Sequence, residues 1–375
     1  MDFAFSEEQE LLRREVRKFL EGQTPLPEVR KAANSPEGYS KQVWKQLGEL
    51  GFLGLTMPSE YGGAGLGFVD LVVLLEETGR ILLPSPLISS VLAAATVRDT
   101  GSQQQCKRWL PSLVDASRIG TLAVYETPDQ PSADGITLRG TPEGDGFVLS
   151  GEKRFVGDAA RADLFVVAFR SGDAPDALSL AVVERDAAGV STERASAFDA
   201  TKQSGTLRLE GVRVAADALL GAPGNARPAI ERALDRAAAA VTAEAIGAME
   251  GILDITVEFA KQRVQFGQPI GHYQGVKHPL ADGYVDIECL KSLLYYAAWA
   301  LDASPEKAPL AVAEAKAFAS EAFPRLGVTG IQLHGGVGFT EEYDIQLYLK
   351  RSKWYRQECG DEDYYADRIA TLGGY

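Results

Sequence analysis

At 375 residues the chain is long enough for two to three domains of roughly 100–200 residues each. A net charge of −14, from 52 acidic and 38 basic residues, argues against a general nucleic-acid binder, which needs a basic surface. Three scattered cysteines, Cys106, Cys289 and Cys359, give neither a disulfide framework nor a thiolate zinc site, and no metal is expected. The start lacks the basic and apolar regions of a signal peptide, and no apolar run is long enough to span a membrane, so a cytoplasmic location is expected.

Ser6-Glu7-Glu8-Gln9 has capping-box spacing, and Leu11, Leu12, Val16, Phe19 and Leu20 follow on one face of a first helix. Trp44, Leu47 and Leu50 mark a second helix, stopped by Gly51, and residues 69–78 a third. Ser102 to Gln105 repeats the capping signal ahead of Trp109 and Leu110. From about 120 to 220 the apolar period shortens. Runs at 121–125, 147–149, 164–169, 178–183 and 206–209 read as strands between turn signals such as Asp134-Gly135 and Gly144-Asp145-Gly146. Such short strands predict a small antiparallel barrel or sandwich. Helices then return at 230–262, 280–301, 310–333 and 344–355, predicting a four-helix bundle, with Pro324 as a kink or break. The fold class is α+β: a helical domain over 1–119, a β-domain over 120–225 and a helical bundle over 226–375.

The stretch with most chemical content is Ile331-Gln332-Leu333-His334-Gly335-Gly336-Val337-Gly338-Phe339, at the end of a long helix. Its glycines permit a tight turn and close backbone approach to a ligand, and amides at the start of a following helix would favour a diphosphate. Alone, it is equally a helix C-cap. It gains weight from four ordered segments elsewhere: Met57-Pro58-Ser59-Glu60-Tyr61-Gly62-Gly63, Gly144 to Phe155, Gln262-Arg263-Val264-Gln265-Phe266-Gly267, and Ala281-Asp282 after Gln274 and His278. Together with the helical, β, helical order, these resemble the acyl-CoA dehydrogenase family over nearly the whole chain.

That resemblance implies an FAD enzyme oxidising an acyl-CoA thioester between Cα and Cβ to the enoyl-CoA. A carboxylate takes the Cα proton and flavin N5 the hydride. It implies that Arg263 binds the FAD diphosphate of a neighbouring subunit, with Phe266 beside the cofactor. Gln332, Gly335 and Gly336 then contact the diphosphate end, and Tyr273 and Gln274 act across the subunit boundary. Such a shared site needs at least a dimer, and a homo- or hetero-tetramer is implied, with electron-transfer flavoprotein as acceptor. Tyr125, Phe155 and Gly157 fall where the family faces the flavin ring. They depart from its pattern, and Gly157 lacks the hydroxyl that usually bonds N5. Each has a plainer alternative: a helix-end arginine for Arg263, a core aromatic for Phe155.

The sharpest departure is the base. Cys359 occupies the family's usual glutamate position, and Ala237 occupies the position used by a minority. Glu244 lies seven residues after Ala237, on nearly the same helix face but about 10 Å further along the axis. A carboxylate facing a bundle interior is costly without a purpose or a partner such as Arg236. Glu244 is therefore the candidate base. Glu358 and Asp361 flank the usual position as lesser candidates. Two alternatives stay open: a partner subunit without its own base, and a flavin oxidase or oxygenase of the same fold.

Overall fold

The structure, a computed structural model, describes residues 5–127 and 131–374. Helices α1 (Glu7–Gln23), α2 (Leu26–Ala33), α3 (Lys41–Glu49), α4 (Phe68–Arg80), α5 (Leu87–Thr100) and α6 (Gln103–Val114) come first. Strands β1 (Gly120–Ala123), β2 (Gly140–Glu143), β3 (Gly146–Gly157), β4 (Leu164–Arg170), β5 (Leu178–Glu184), β6 (Val190–Arg194), β7 (Ser204–Val214) and β8 (Leu219–Leu220) follow. The rest is α7 (Arg227–Gln262), a hairpin of β9 (Val264–Gln265) and β10 (Gln268–Pro269), α8 (Gln274–Ala303), α9 (Ala308–His334), α10 (Ile345–Gln357) and α11 (Glu362–Gly373).

Both predicted capping boxes are formed. Ser6 accepts the Gln9 N–H while Gln9 reaches back to the Ser6 N–H, and Ser102 and Gln105 do the same for α6. Helices α2 and α5 were not legible as helices. The α5 segment is apolar nearly all round, so no amphipathic period betrays it.

The chain forms two compact units. The first comprises Met1–Asn34, Phe68–Leu83 and Ala238–Tyr375; the second comprises Ser35–Gly67 and Pro84–Ala237. In the first, α8, α10 and α11 all pack on α9, and α1 lies on α4. The bundle has one helix more than the predicted four, because Asp361 caps an α11 too short and too polar to stand out in sequence. Pro324 does not break α9, which runs unbroken from Ala308 to His334. Helices α4 and α7 touch backbone to backbone. A Cβ on Gly79 would come within 2.1 Å of Glu244 O, and one on Gly247 within 1.8 Å of Glu76 O.

In the second unit the β-domain is not a barrel, and it is not wholly antiparallel. Two open four-stranded sheets run β1-β4-β5-β8 and β2-β3-β7-β6. The β1–β4 pair is parallel, Gly120 opposite Leu164, and residues 124–163, which include β2 and β3, form the long crossover that such pairing needs. Buried Leu164, Val166, Leu180, Val182 and Leu220 of one sheet share a core with Ala93, Val97, Trp109 and Leu113 of α5 and α6.

Candidate active site

In the first unit, α7 ends at Gln262 and the chain turns at once through the β9–β10 hairpin. Its central residues, Phe266 and Gly267, have φ of 54° and 85°. Two successive positive φ values fit the twist of a two-residue hairpin, but a phenylalanine resists that conformation. The Phe266 side chain is 92% exposed. Tyr273, just before α8, sets its ring edge-on to Phe266 at 6.3 Å and donates its hydroxyl to Gln265 O at 3.3 Å. Gln274 is the exposed first residue of α8.

Arg263 is exposed, and among the described residues its guanidinium has no ion-pair or hydrogen-bond partner. An unneutralised cation in a chain of net charge −14 fits an anionic ligand. Four residues before Arg263, Phe259 stacks on His334 at 4.3 Å, and both rings meet Tyr343 edge-on. That stack brings the Arg263 segment and the glycine turn to the same end of the bundle. His334 is buried, which holds its imidazole below the usual range, and its Nδ1 faces Gly330 O at 2.8 Å.

Gly335, at φ 65°, caps α9 by donating its N–H to Gln332 O and Ile331 O. The next α-helix begins only at Ile345, so the long-helix N-terminus expected beside the turn lies further on. Gln332, Gly335 and Gly336 are exposed, and a Cβ on either glycine would meet nothing within 4 Å. A ligand can therefore approach this backbone closely.

Deeper in the same unit, Glu244 is 4% exposed and its Oε2 lies 3.4 Å from Nη1 of Arg351, itself 1% exposed. The partner is thus an arginine of α10. Arg236 instead pairs with Asp99. Beside them Thr242 Oγ1 and Tyr355 Oη share a hydrogen bond of 2.9 Å. Cys359 is buried at a left-handed φ of 61°. Its turn is pinned by Lys316, wholly buried, which donates to Ser320 Oγ, Tyr355 O and Gly360 O at 3.0, 3.2 and 2.9 Å. Burial pushes the Lys316 ammonium down to about 8. Asp361 uses its carboxylate as the α11 cap, accepting the Tyr364 N–H. Arg351 and Lys316 escaped the sequence reading, although a lysine inside the apolar stretch Val312–Phe323 was a usable signal.

In the second unit, β3 carries two register shifts against β7, one of them between Lys153 and Val156. Phe155 sits in that bulge at φ 54°, turned half out to solvent. Lys153, wholly buried, donates to Val124 O at 3.0 Å and to Glu126 Oε1 at 2.5 Å, and Arg154 N–H reaches Tyr125 O at 2.8 Å. The structure thereby ties Tyr125 to the β3 segment that carries Phe155 and Gly157. Burial lowers the Lys153 ammonium to about 8 against the pull of Glu126. Burial would raise the Glu126 carboxyl, but Lys153 and hydrogen bonds from Thr137 and Leu138 hold it below the usual range. Of the six left-handed non-glycine residues among those described, Phe155, Asp158, Phe266 and Cys359 fall in segments singled out from sequence, and Leu82 and Ala116 do not.

Three family models match in order: the acyl-CoA dehydrogenase N-terminal domain over 6–117, the middle domain over 129–212 and the C-terminal domain over 227–372. The chain belongs to the acyl-CoA dehydrogenase family. Acyl-CoA dehydrogenase IpdE2 of Mycolicibacterium smegmatis is 32% identical over 356 residues, covering 95% of each chain. Among solved structures, the Tcur3481-Tcur3483 steroid ACAD matches with a TM-score of 0.89 at 31% identity, covering 98% of both chains. The ChsE4-ChsE5 complex from Mycobacterium tuberculosis matches with a TM-score of 0.92 at 27% identity, over 100% of this chain and 99% of that one. This acyl-CoA dehydrogenase is accordingly an FAD-dependent oxidoreductase. Among its described residues no helix is long and apolar enough to cross a membrane, and no cluster of His, Cys, Asp and Glu could hold a metal.

Proposed function

We propose that this acyl-CoA dehydrogenase oxidises its thioester substrate between Cα and Cβ, with Glu244 as the base that accepts the Cα proton. The observation that carries this reading is a carboxylate placed inside the helical bundle and oriented by Arg351 at 3.4 Å. At the two positions where the family holds its glutamate, this chain has buried Cys359 and Ala237. A base works best away from water and at a fixed geometry, and the ion pair supplies the second condition.

Bound FAD supplies the two-electron acceptor. In the first unit Arg263 would answer the diphosphate of FAD held by a neighbouring subunit, with Gln332, Gly335 and Gly336 offering open backbone and Phe266, Tyr273 and Gln274 lying along the hairpin and α8. In the second unit Tyr125, Phe155 and Gly157 would face the flavin ring. Exposed Phe266, Phe339, Tyr284, Val285 and Val328 support burial against further subunits, in a homo- or hetero-tetramer. Electron-transfer flavoprotein is the acceptor this reading implies. The likeness to a steroid ACAD makes a ring-bearing acyl-CoA the first substrate to try, beside straight-chain thioesters.

The test is spectroscopic. Purified protein should be yellow, anaerobic addition of substrate acyl-CoA should bleach the visible bands, and addition of the same substrate in air should consume little oxygen. Yellow protein that no acyl-CoA bleaches would overturn the proposal.

A further inference from the structure

Gly157 carries no hydroxyl, yet the space beside its Cα is taken. A Cβ built there would stand 2.9 Å from Ser89 Oγ, and no other atom outside residues 156–158 lies within 4 Å of it. Ser89, in the first turn of α5, is only partly buried. Its hydroxyl thus fills the volume that a side chain at residue 157 would need.

That hydroxyl is held firmly. Ser89 Oγ donates to Asp158 Oδ2 at 2.7 Å, and Asp158 Oδ1 accepts from Arg161 Nη1 at 2.9 Å. Asp158 is itself fixed at φ 54°, its N–H donating to Gln203 O at 3.0 Å. On the other side, Thr121 Oγ1 donates to Gly157 O at 2.6 Å. Two carboxylate bonds and two carbonyl bonds therefore set both the hydroxyl and the backbone beside it.

We propose that Ser89 supplies from α5 the flavin-facing hydroxyl that residue 157 lacks. The inference rests on the reading that Gly157 faces FAD. A serine hydroxyl has one hydrogen and two lone pairs. Here the hydrogen is committed to the Asp158 carboxylate, a charge-assisted bond. What Ser89 offers a flavin is acceptor capacity. Flavin N5 carries a hydrogen only in the reduced form, so this hydroxyl favours reduced over oxidised flavin.

Full-length protein loaded with FAD tests this through its visible spectrum and its flavin midpoint potential. Ser89→Ala should retain FAD, shift the visible bands and move the potential to more negative values. Gly157→Thr alone should lose flavin, because its Cβ must displace Ser89 Oγ; φ at 157 is not left-handed and imposes no penalty of its own. The pair Ser89→Ala with Gly157→Thr should regain FAD, since removing Oγ vacates the site. Wild-type spectrum and potential in Ser89→Ala would overturn the inference. If Ser89→Ala itself releases FAD, failure of the double variant to recover it would do the same. Colourless wild-type protein after loading would instead strike the FAD site itself, a separate result from yellow protein with a silent Ser89→Ala.

Discussion

Glu244 on α7 and Arg351 on α10 meet at 3.4 Å in the interior of the helical bundle, and neither side chain is open to water. Breaking such a pair by removing one partner leaves a buried charge and costs about 3–5 kcal/mol, while replacing both can be nearly neutral. Stability and chemistry can therefore be separated. Glu244→Gln should lower the rate of flavin reduction by acyl-CoA by about 10²–10⁴-fold, the usual worth of a general base, and also lower Tm. Glu244→Gln with Arg351→Met should recover Tm but not the rate. Stopped-flow reduction and thermal melts of both variants decide it, and an unchanged rate in either would remove Glu244 from the mechanism.

The Arg263 guanidinium has no partner among the described residues, so its loss should leave the fold alone. Arg263→Ala should fold with the Tm of wild-type apoprotein yet release FAD on dialysis, and the more so at high salt. Absorbance of the dialysed protein reads this directly. Full flavin occupancy would count against a diphosphate role.

Lys316 is held below its ordinary value, at about 8 against 10.5 in the unfolded chain. Between these values the unfolded state binds more protons than the folded state, so stability rises with pH. Below pH 8 both states are protonated and the burial penalty is present in full. The slope reaches at most about 1.4 kcal/mol per pH unit. Buried Tyr355 and Tyr348, held well above the usual range, oppose this from about pH 10 upward. Urea melts of wild type and Lys316→Met from pH 7.5 to 10 should show the gap between them widening in favour of wild type. A constant gap would mean that Lys316 does not titrate in that window.

Gly79 abuts Glu244 O with no room for a methyl group. Gly79→Ala should destabilise by about 1–3 kcal/mol or more through overpacking and should also slow flavin reduction, because the backbone that moves carries Glu244. Melts and single-turnover rates of this variant check both effects. Loss of stability with an intact rate would show that the α4–α7 contact does not reach the base.

Much of the scaffold was legible where a local pattern suffices. Ser6 and Ser102 announce their helices because a cap, its amide and its reciprocal glutamine lie within four residues. Short apolar runs announced β4 and β5, and an alternating one announced β7. The hairpin at Phe266 was not legible, because phenylalanine is a poor residue for a left-handed turn and nothing local advertises it. Strand β6, polar after Val190 and mostly exposed, has no apolar alternation to read. The parallel β1–β4 pair was hidden for a different reason: pairing direction is a property of two segments about 40 residues apart.

The sequence by itself determined the order of helical and β segments, the family, and the absence of a carboxylate at residues 237 and 359. Each is a matter of which residue stands where along the chain. Only the tertiary structure decided that Glu244 meets Arg351 and not Arg236, that Phe259 and His334 tie the Arg263 segment to the glycine turn, and that Ser89 fills the volume beside Gly157. These are meetings of side chains tens of residues apart, and their geometry is set by how helices and sheets pack, which no local spacing encodes.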